Sequence, residues 1–299
     1  MERIKQALER ARRERASTAP APGDGLVAPA DDLAPPATSP SVGAGPHAAR
    51  RPAQPPQQVA IEYTRTRVVP VDEERLRRYR VVAGLHDDAI AGAYKVLRTA
   101  IVQRMRANGW RSLAITSPAQ GAGKTLTAVN LAISLAHEVN HTVLLADLDL
   151  RRPRLHRCFV DHPGLGISEY LTDDVPLSEI LFNPGIDRLV VLPGHKRFAN
   201  SSEMLVSPRM VHLAKELVTR YPERIVLYDM PPILACDDVM AFAPQIDAVL
   251  LVVEEGRTDA EDLQRTMGLL EHVNIVGTVL NKAEGSQRGY GYGYGYGHY

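Results

Sequence analysis

Hydrophobic and polar positions keep a regular rhythm only between about residues 61 and 284. At the start of that stretch Ile90, Tyr94, Leu97 and Ile101 recur at helical spacing, which predicts a helix over 88–106. Short apolar runs then alternate with helical patterns. The runs predict strands at 112–116, 142–146, 225–228, 248–253 and 275–280, and helices at 124–137 and 258–272. Short apolar strands separated by helices are buried on both faces, so the pattern predicts an α/β fold with a mostly parallel sheet and helices on both sides.

Outside that stretch the rhythm fails. Residues 1–17 are densely charged, with Ile4, Ala7, Leu8 and Ala11 at helical spacing, and predict a short amphipathic helix docked to a membrane protein or anionic lipid, the alternative being a solvated helix or a disordered start. Residues 18–58 hold ten prolines among Ala, Gly and Ser, and predict a flexible, disordered linker. Residues 59–284 form the folded domain, and 285–299 a disordered Gly/Tyr-rich tail ending GYGYGYGYGHY.

The net charge is zero, so nothing suggests a nucleic-acid partner. No apolar run approaches the roughly 18 to 20 residues that span a bilayer, and the charged start has no signal-peptide core. The two cysteines, Cys158 and Cys236, are far apart and outside metal-ligand spacing, consistent with reduced, mostly buried thiols in a cytoplasmic protein.

The strongest motif follows the 112–116 strand. There Gly121-Ala122-Gly123-Lys124-Thr125 leads straight into a helix. Glycines let backbone N–H groups close around phosphate oxygens, and the helix N-terminus adds partial positive charge. Lys124 would reach the β- and γ-phosphates and Thr125 would ligate Mg²⁺. Pro118 stands where the general GxxxxGK[ST] pattern has glycine. The alternative is a glycine turn with Lys124 facing solvent, but the chain has six lysines against 29 arginines, so lysine is not its usual surface filler.

A magnesium–nucleotide site also needs carboxylates at neighbouring strand ends. Asp147 and Asp149 follow one apolar run and Asp229 another. Each alone reads equally well as a turn residue. Together with the phosphate loop they predict one catalytic metal site.

These segments resemble the bacterial tyrosine kinases of capsule and exopolysaccharide systems. SPAQGAGKT is similar to that family's Walker A, typically SPxPGEGKT. LLADLDLRRPRLH resembles its Walker A′, and YDMPPIL with the later Asp238 its Walker B. GLGISEYL, NSSEMLVSPRM and VGTVLNK resemble further family segments, so the likeness runs from about 90 to 282. The opening MERIKQALERAR with its Pro-rich linker is similar to a subgroup linked to exosortase loci.

The resemblance implies a P-loop NTPase fold, ATP and Mg²⁺ as cofactors, and tyrosine autophosphorylation that regulates exopolysaccharide polymerisation and export. It implies that Gln120, Gly121, Ala122, Gly123, Lys124, Thr125 and Leu126 cradle the phosphates while Asn281 meets the adenine base. Thr125, Asp147 and Asp229 hold the metal, and Lys124, Asp147, Asp149 and Asp229 carry catalysis. Tyr290, Tyr292, Tyr294, Tyr296 and Tyr299 are the implied phosphorylation sites; the alternative is an unmodified low-complexity tail.

The implied partners are an inner-membrane chain-length determinant that activates the kinase, further copies of the chain and a cognate tyrosine phosphatase, with the protein held peripherally at the inner membrane. Two departures stand out. Gly92, Lys95 and Arg98 stand at the positions of the family's E-x-x-R-x-x-R assembly motif, so its Glu is missing, which puts its eight-subunit ring in question. Gln120 and Ala122 replace Pro and Glu in the loop, sparing Lys124 and Thr125.

Two rival readings remain. One is a MinD/ParA-type ATPase switch, whose signature lysine would fall at Ala119. The other is a catalytically inactive nucleotide-binding subunit of a polysaccharide copolymerase.

Overall fold

The computed structural model describes residues 66–85 and 89–283, and the expectations for 1–17, 18–58 and 285–299 lie outside them. Eight strands and nine α-helices are described. The strands are β1 (Arg67–Val68), β2 (Ser112–Thr116), β3 (Thr142–Asp147), β4 (Phe182–Asn183), β5 (Leu189–Leu192), β6 (Arg224–Asp229), β7 (Ala248–Glu254) and β8 (Ile275–Asn281). The helices are α1 (Glu73–Arg78), α2 (Ala89–Asn108), α3 (Lys124–Ala136), α4 (Ile167–Thr172), α5 (Leu177–Ile180), α6 (Ser201–Leu205), α7 (Pro208–Thr219), α8 (Asp238–Phe242) and α9 (Ala260–Leu269).

One sheet holds all eight strands in the order β1-β4-β5-β3-β6-β2-β7-β8. Every pair is parallel except β4–β5. The chain leaves β2 through α3, passes over the place later filled by β6 and enters β3. It returns from β6 to β7 on the other side of β2. The order therefore reverses around β2, and a crevice opens beyond the strands' C-terminal ends.

The central strands are apolar throughout because both of their faces are covered. Leu113, Ile115, Val143, Leu145 and Leu227 pack with α2 and α3 on one side. Ala114, Leu144, Ala146, Val226 and Tyr228 pack with α4 to α8 on the other. Each fully buried Leu or Ile side chain contributes about 1.5–3 kcal/mol. Helix α3 packs on the sheet beside α2, and Ala128, Ala132 and Ala136 let it approach closely.

All eight expected elements occur, with ends moved by at most three residues: α2 runs two residues further, to Asn108, and α9 stops at Leu269. Strands β1, β4 and β5 and helices α1 and α4 to α8 were not expected. Cys158 and Cys236 are free thiols, the first buried and the second half-buried. Burial, with Asp229 and Asp147 near, pushes the Cys158 thiol up to about 12, so it stays protonated and inert. Among the described residues no helix is long and apolar enough to cross a membrane.

Candidate active site

After Thr116 the chain turns through residues 117–123 into α3. Gly121 and Gly123 both have φ of 92°, a left-handed conformation that suits glycine. A Cβ on Gly123 would lie 2.1 Å from Asn281 Nδ2. That amide group donates to the Ala122 carbonyl at 2.8 Å, tying the end of β8 to the loop. Gly123 heads α3, and no side chain caps the helix's first turn, whose N–H groups suit an anion.

Pro118 fits its place through its carbonyl. Ile233 N–H donates to Ser117 O (2.9 Å) and Leu234 N–H to Pro118 O (3.2 Å). The Thr116 hydroxyl donates to Pro231 O at 2.6 Å. The segment after β6 thus braces the first half of the loop, where an N–H at 118 has no part. Gln120 is on the outer rim, its Oε1 accepting from Arg152 Nη1 at 2.8 Å. Leu126 is already inside α3, its carbonyl accepting from Asn130 Nδ2.

Strands β3 and β6 are parallel neighbours, and their last residues, Asp147 and Asp229, are paired in register. With β6 next to β2 and β3 next to β6, both carboxylates come to the head of α3. Lys124 Nζ donates to Asp149 Oδ2 at 2.8 Å and lies 3.8 Å from Asp229 Oδ1. Thr125 Oγ1 donates to Asp229 Oδ2 at 2.6 Å. Asp147 accepts backbone N–H groups of Leu155 (3.0 Å) and Asp149 (3.3 Å). Lys124, expected from sequence either on phosphate or in solvent, is buried at 9% exposure among the acids.

Charge explains the electrostatics. Three carboxylates surround one ammonium. Burial and then Asp229 push Asp147 well above the usual carboxylate range. Burial also raises Asp229, although Lys124 and the Thr125 hydroxyl oppose it. Burial alone would lower the Lys124 pKa, but Asp229 and Asp149 outweigh it and hold the ammonium charged. Asp229 Oδ1 is buried with no hydrogen-bond partner. The cluster is short of positive charge.

Two supports escaped the sequence reading as a physical pairing. Asp238, fully buried, accepts from Ser201 Oγ (2.9 Å) and Arg151 Nε (3.3 Å), tying α8 and α6 to the loop after β3. Glu169 accepts from Gly166 N–H, Ser168 Oγ (both 2.8 Å) and Lys196 Nζ (2.7 Å). Burial alone would raise Glu169, yet those donors pull it down to about 2. Both acids lie in segments quoted for the family resemblance, but nothing local in the sequence pairs them with Arg151 or Lys196. The tyrosines at 290–299 lie outside the described residues.

Residues 113–290 match the CobQ/CobB/MinD/ParA nucleotide-binding domain. The tyrosine-protein kinase YwqD of Bacillus subtilis is 31% identical over 202 residues, 66% of this chain and 84% of YwqD. The chain belongs to the bacterial tyrosine-protein kinases. The crystallised kinase domain of Escherichia coli Etk superposes with a TM-score of 0.63 at 29% identity, over 76% of this chain and 94% of that domain. The succinoglycan biosynthesis transport protein ExoP of Rhizobium meliloti is 29% identical over 220 residues, 71% of this chain but 27% of ExoP. The chain spans about 28% of the length of several curated relatives it matches. Family and P-loop fold agree with the resemblance drawn from the motifs.

Proposed function

We propose that the chain is an ATP- and Mg²⁺-dependent protein-tyrosine kinase that phosphorylates Tyr290, Tyr292, Tyr294, Tyr296 and Tyr299 of its own C-terminal segment. The observation that carries this reading is the convergence of Lys124, Thr125, Asp149 and Asp229 within hydrogen-bonding distance at the head of α3. The uncapped first turn and the two left-handed glycines suit phosphate oxygens.

The residues also suit Mg²⁺. Thr125, Asp229 and Asp147 offer hard oxygen donors, the cluster lacks positive charge, and Asp229 Oδ1 has no hydrogen-bond partner. When bound, Mg²⁺ neutralises charge on the phosphates.

The chain's own residues do the rest. Loop amides and Lys124 hold the phosphates, and Asn281, fixed against the loop, borders the base. A phenol with a pKa of about 10 needs a carboxylate to take its proton. Asp149 is the least buried of the three acids, at 7% exposure against 0% and 1%, and is our assignment for that base.

By analogy with ExoP's named role, the phosphorylation regulates exopolysaccharide export. A membrane-bound chain-length determinant activates the kinase and keeps it at the inner membrane, with residues 1–17 as the tether. Purified protein incubated with Mg–ATP should gain phosphate on 290–299 by mass spectrometry, and Lys124→Ala should lose it. Phosphate release without labelling would favour an ATPase switch, and neither activity would favour an inactive subunit. Deleting residues 1–17 should lower membrane association; unchanged fractionation would count against the tether.

A further inference from the structure

At the opposite end of the sheet from Lys124, a cleft of about 220 Å³ opens between the end of α2 and the starts of β2, β3 and β6. The six residues of β6 separate the two ends by roughly 20 Å. Met105, Trp110 and Ile225 contribute its apolar lining. Arg106, Arg111 and Arg224 stand around it with His141, against one lining acid, Glu223, and Glu138 3.8 Å from His141.

The cations are held in place. Arg106 Nη2 meets His141 Nε2 at 2.8 Å, Arg111 Nη1 donates to Pro222 O at 3.1 Å, and Arg224 stacks 4.1 Å from the Tyr221 ring. A guanidinium has five N–H donors in a rigid fork, so Arg106 and Arg111 have more to offer than these contacts use.

We infer that this cleft binds a phosphotyrosine side chain from the chain's own C-terminal segment. The volume lies below the roughly 300–1,000 Å³ that enclose whole small-molecule ligands, and suits a single side chain. An apolar, Trp-lined floor suits an aromatic ring, while the arginines suit a phosphate of charge about −1.5 to −2. A bare phosphate would leave that floor unused. The segment carries five of the chain's eleven tyrosines. Tyr299 is 16 residues beyond Ala283, a reach of up to about 50 Å, enough to pass from the end of β8 to the far end of the sheet. Docking there parks a phosphorylated tyrosine away from the active site, so the tail's phosphorylation state is read where α2 meets the sheet.

The inference rests on the proposed kinase activity for its biological sense, but its test does not. Trp110 is the only tryptophan in the chain, so intrinsic fluorescence reports on the cleft directly. The dephosphorylated full chain would be titrated with a synthetic peptide of residues 289–297 carrying phosphotyrosine at 294. A saturable change in Trp110 emission is expected, absent with the unphosphorylated peptide and roughly tenfold weaker in Arg106→Gln. Arg106 is exposed, so that variant keeps the fold, and circular dichroism checks it. Because the phosphate is added chemically, a protein that never labels its tail would still bind. No saturable change, equal binding of both peptides, an unaffected Arg106→Gln, or full competition by inorganic phosphate at equal concentration would overturn the inference.

Discussion

Replacing Asp229 by asparagine removes one negative charge from a cluster in which Asp147, Asp149 and Asp229 share the Lys124 ammonium. The hydrogen-bonding loss is small. Asn keeps an oxygen for the Thr125 hydroxyl, the buried Oδ1 has no hydrogen bond to lose beyond its 3.8 Å approach to Lys124, and Lys124 retains Asp149 at 2.8 Å. Relieved repulsion should therefore dominate and stabilise the nucleotide-free domain by about 1 kcal/mol, a common scale for releasing strain at a functional site. For a domain of this size that is about 2–4 °C in Tm.

The pH dependence follows from the raised pKa of Asp229. The folded state binds the proton more tightly than the unfolded one, so this group's stabilising share is present in acid. It is lost as pH rises from 3.8 through the raised value. Asn carries no such charge. The gain of Asp229→Asn over wild type should thus be largest at about pH 7.5 and shrink towards about pH 4.5. Thermal unfolding by circular dichroism without nucleotide measures it, and tail labelling should fall by roughly 100-fold or more in parallel. A lower Tm for the variant, or an equal difference at both pH values, would refute the charge-strain argument.

Lys124→Met should cut tail labelling by about 10²–10³-fold while leaving the circular dichroism spectrum unchanged; labelling near wild type would remove Lys124 from the mechanism. Gly123→Ala should cost about 1–3 kcal/mol in urea unfolding, because φ is 92° there and the new Cβ meets Asn281, and it should abolish nucleotide binding. Asp238→Ala leaves the Ser201 hydroxyl and Arg151 without their shared acceptor and should cost about 1–3 kcal/mol, whereas a loss below about 0.5 kcal/mol would mark the contact as incidental.

Much of the fold was legible because its central strands are buried on both faces and read as plain apolar runs. Strands β1 and β4 are two residues long and β5 is four, too short to carry periodicity, and β4 and β5 meet as the only antiparallel pair among the described residues. Helices α4 to α6 and α8 are four to six residues long and held by tertiary contacts rather than by a periodic stripe. Helix α7 differs: its twelve residues, Ser207 cap and Met210, Leu213, Ala214 and Leu217 on the buried face make a periodic stripe that local sequence does carry.

At the site, the glycines, Lys124, Thr125 and the strand-end acids announced themselves by motif and position. That Lys124 bonds Asp149 at 2.8 Å while lying 3.8 Å from Asp229 depends on strand order, which local sequence does not encode. Asp238 is similar: its partners Arg151 and Ser201 are 87 and 37 residues away.

The decisive measurement is a crystal structure of the chain with Mg²⁺ and a non-hydrolysable ATP analogue. The β- and γ-phosphates are expected against Lys124 Nζ and the 121–125 amides, with the metal held by Thr125 Oγ1 and Asp229. Nucleotide bound away from the head of α3, or phosphates that leave Lys124 on Asp149 and the metal far from Asp229, would contradict the proposed kinase site.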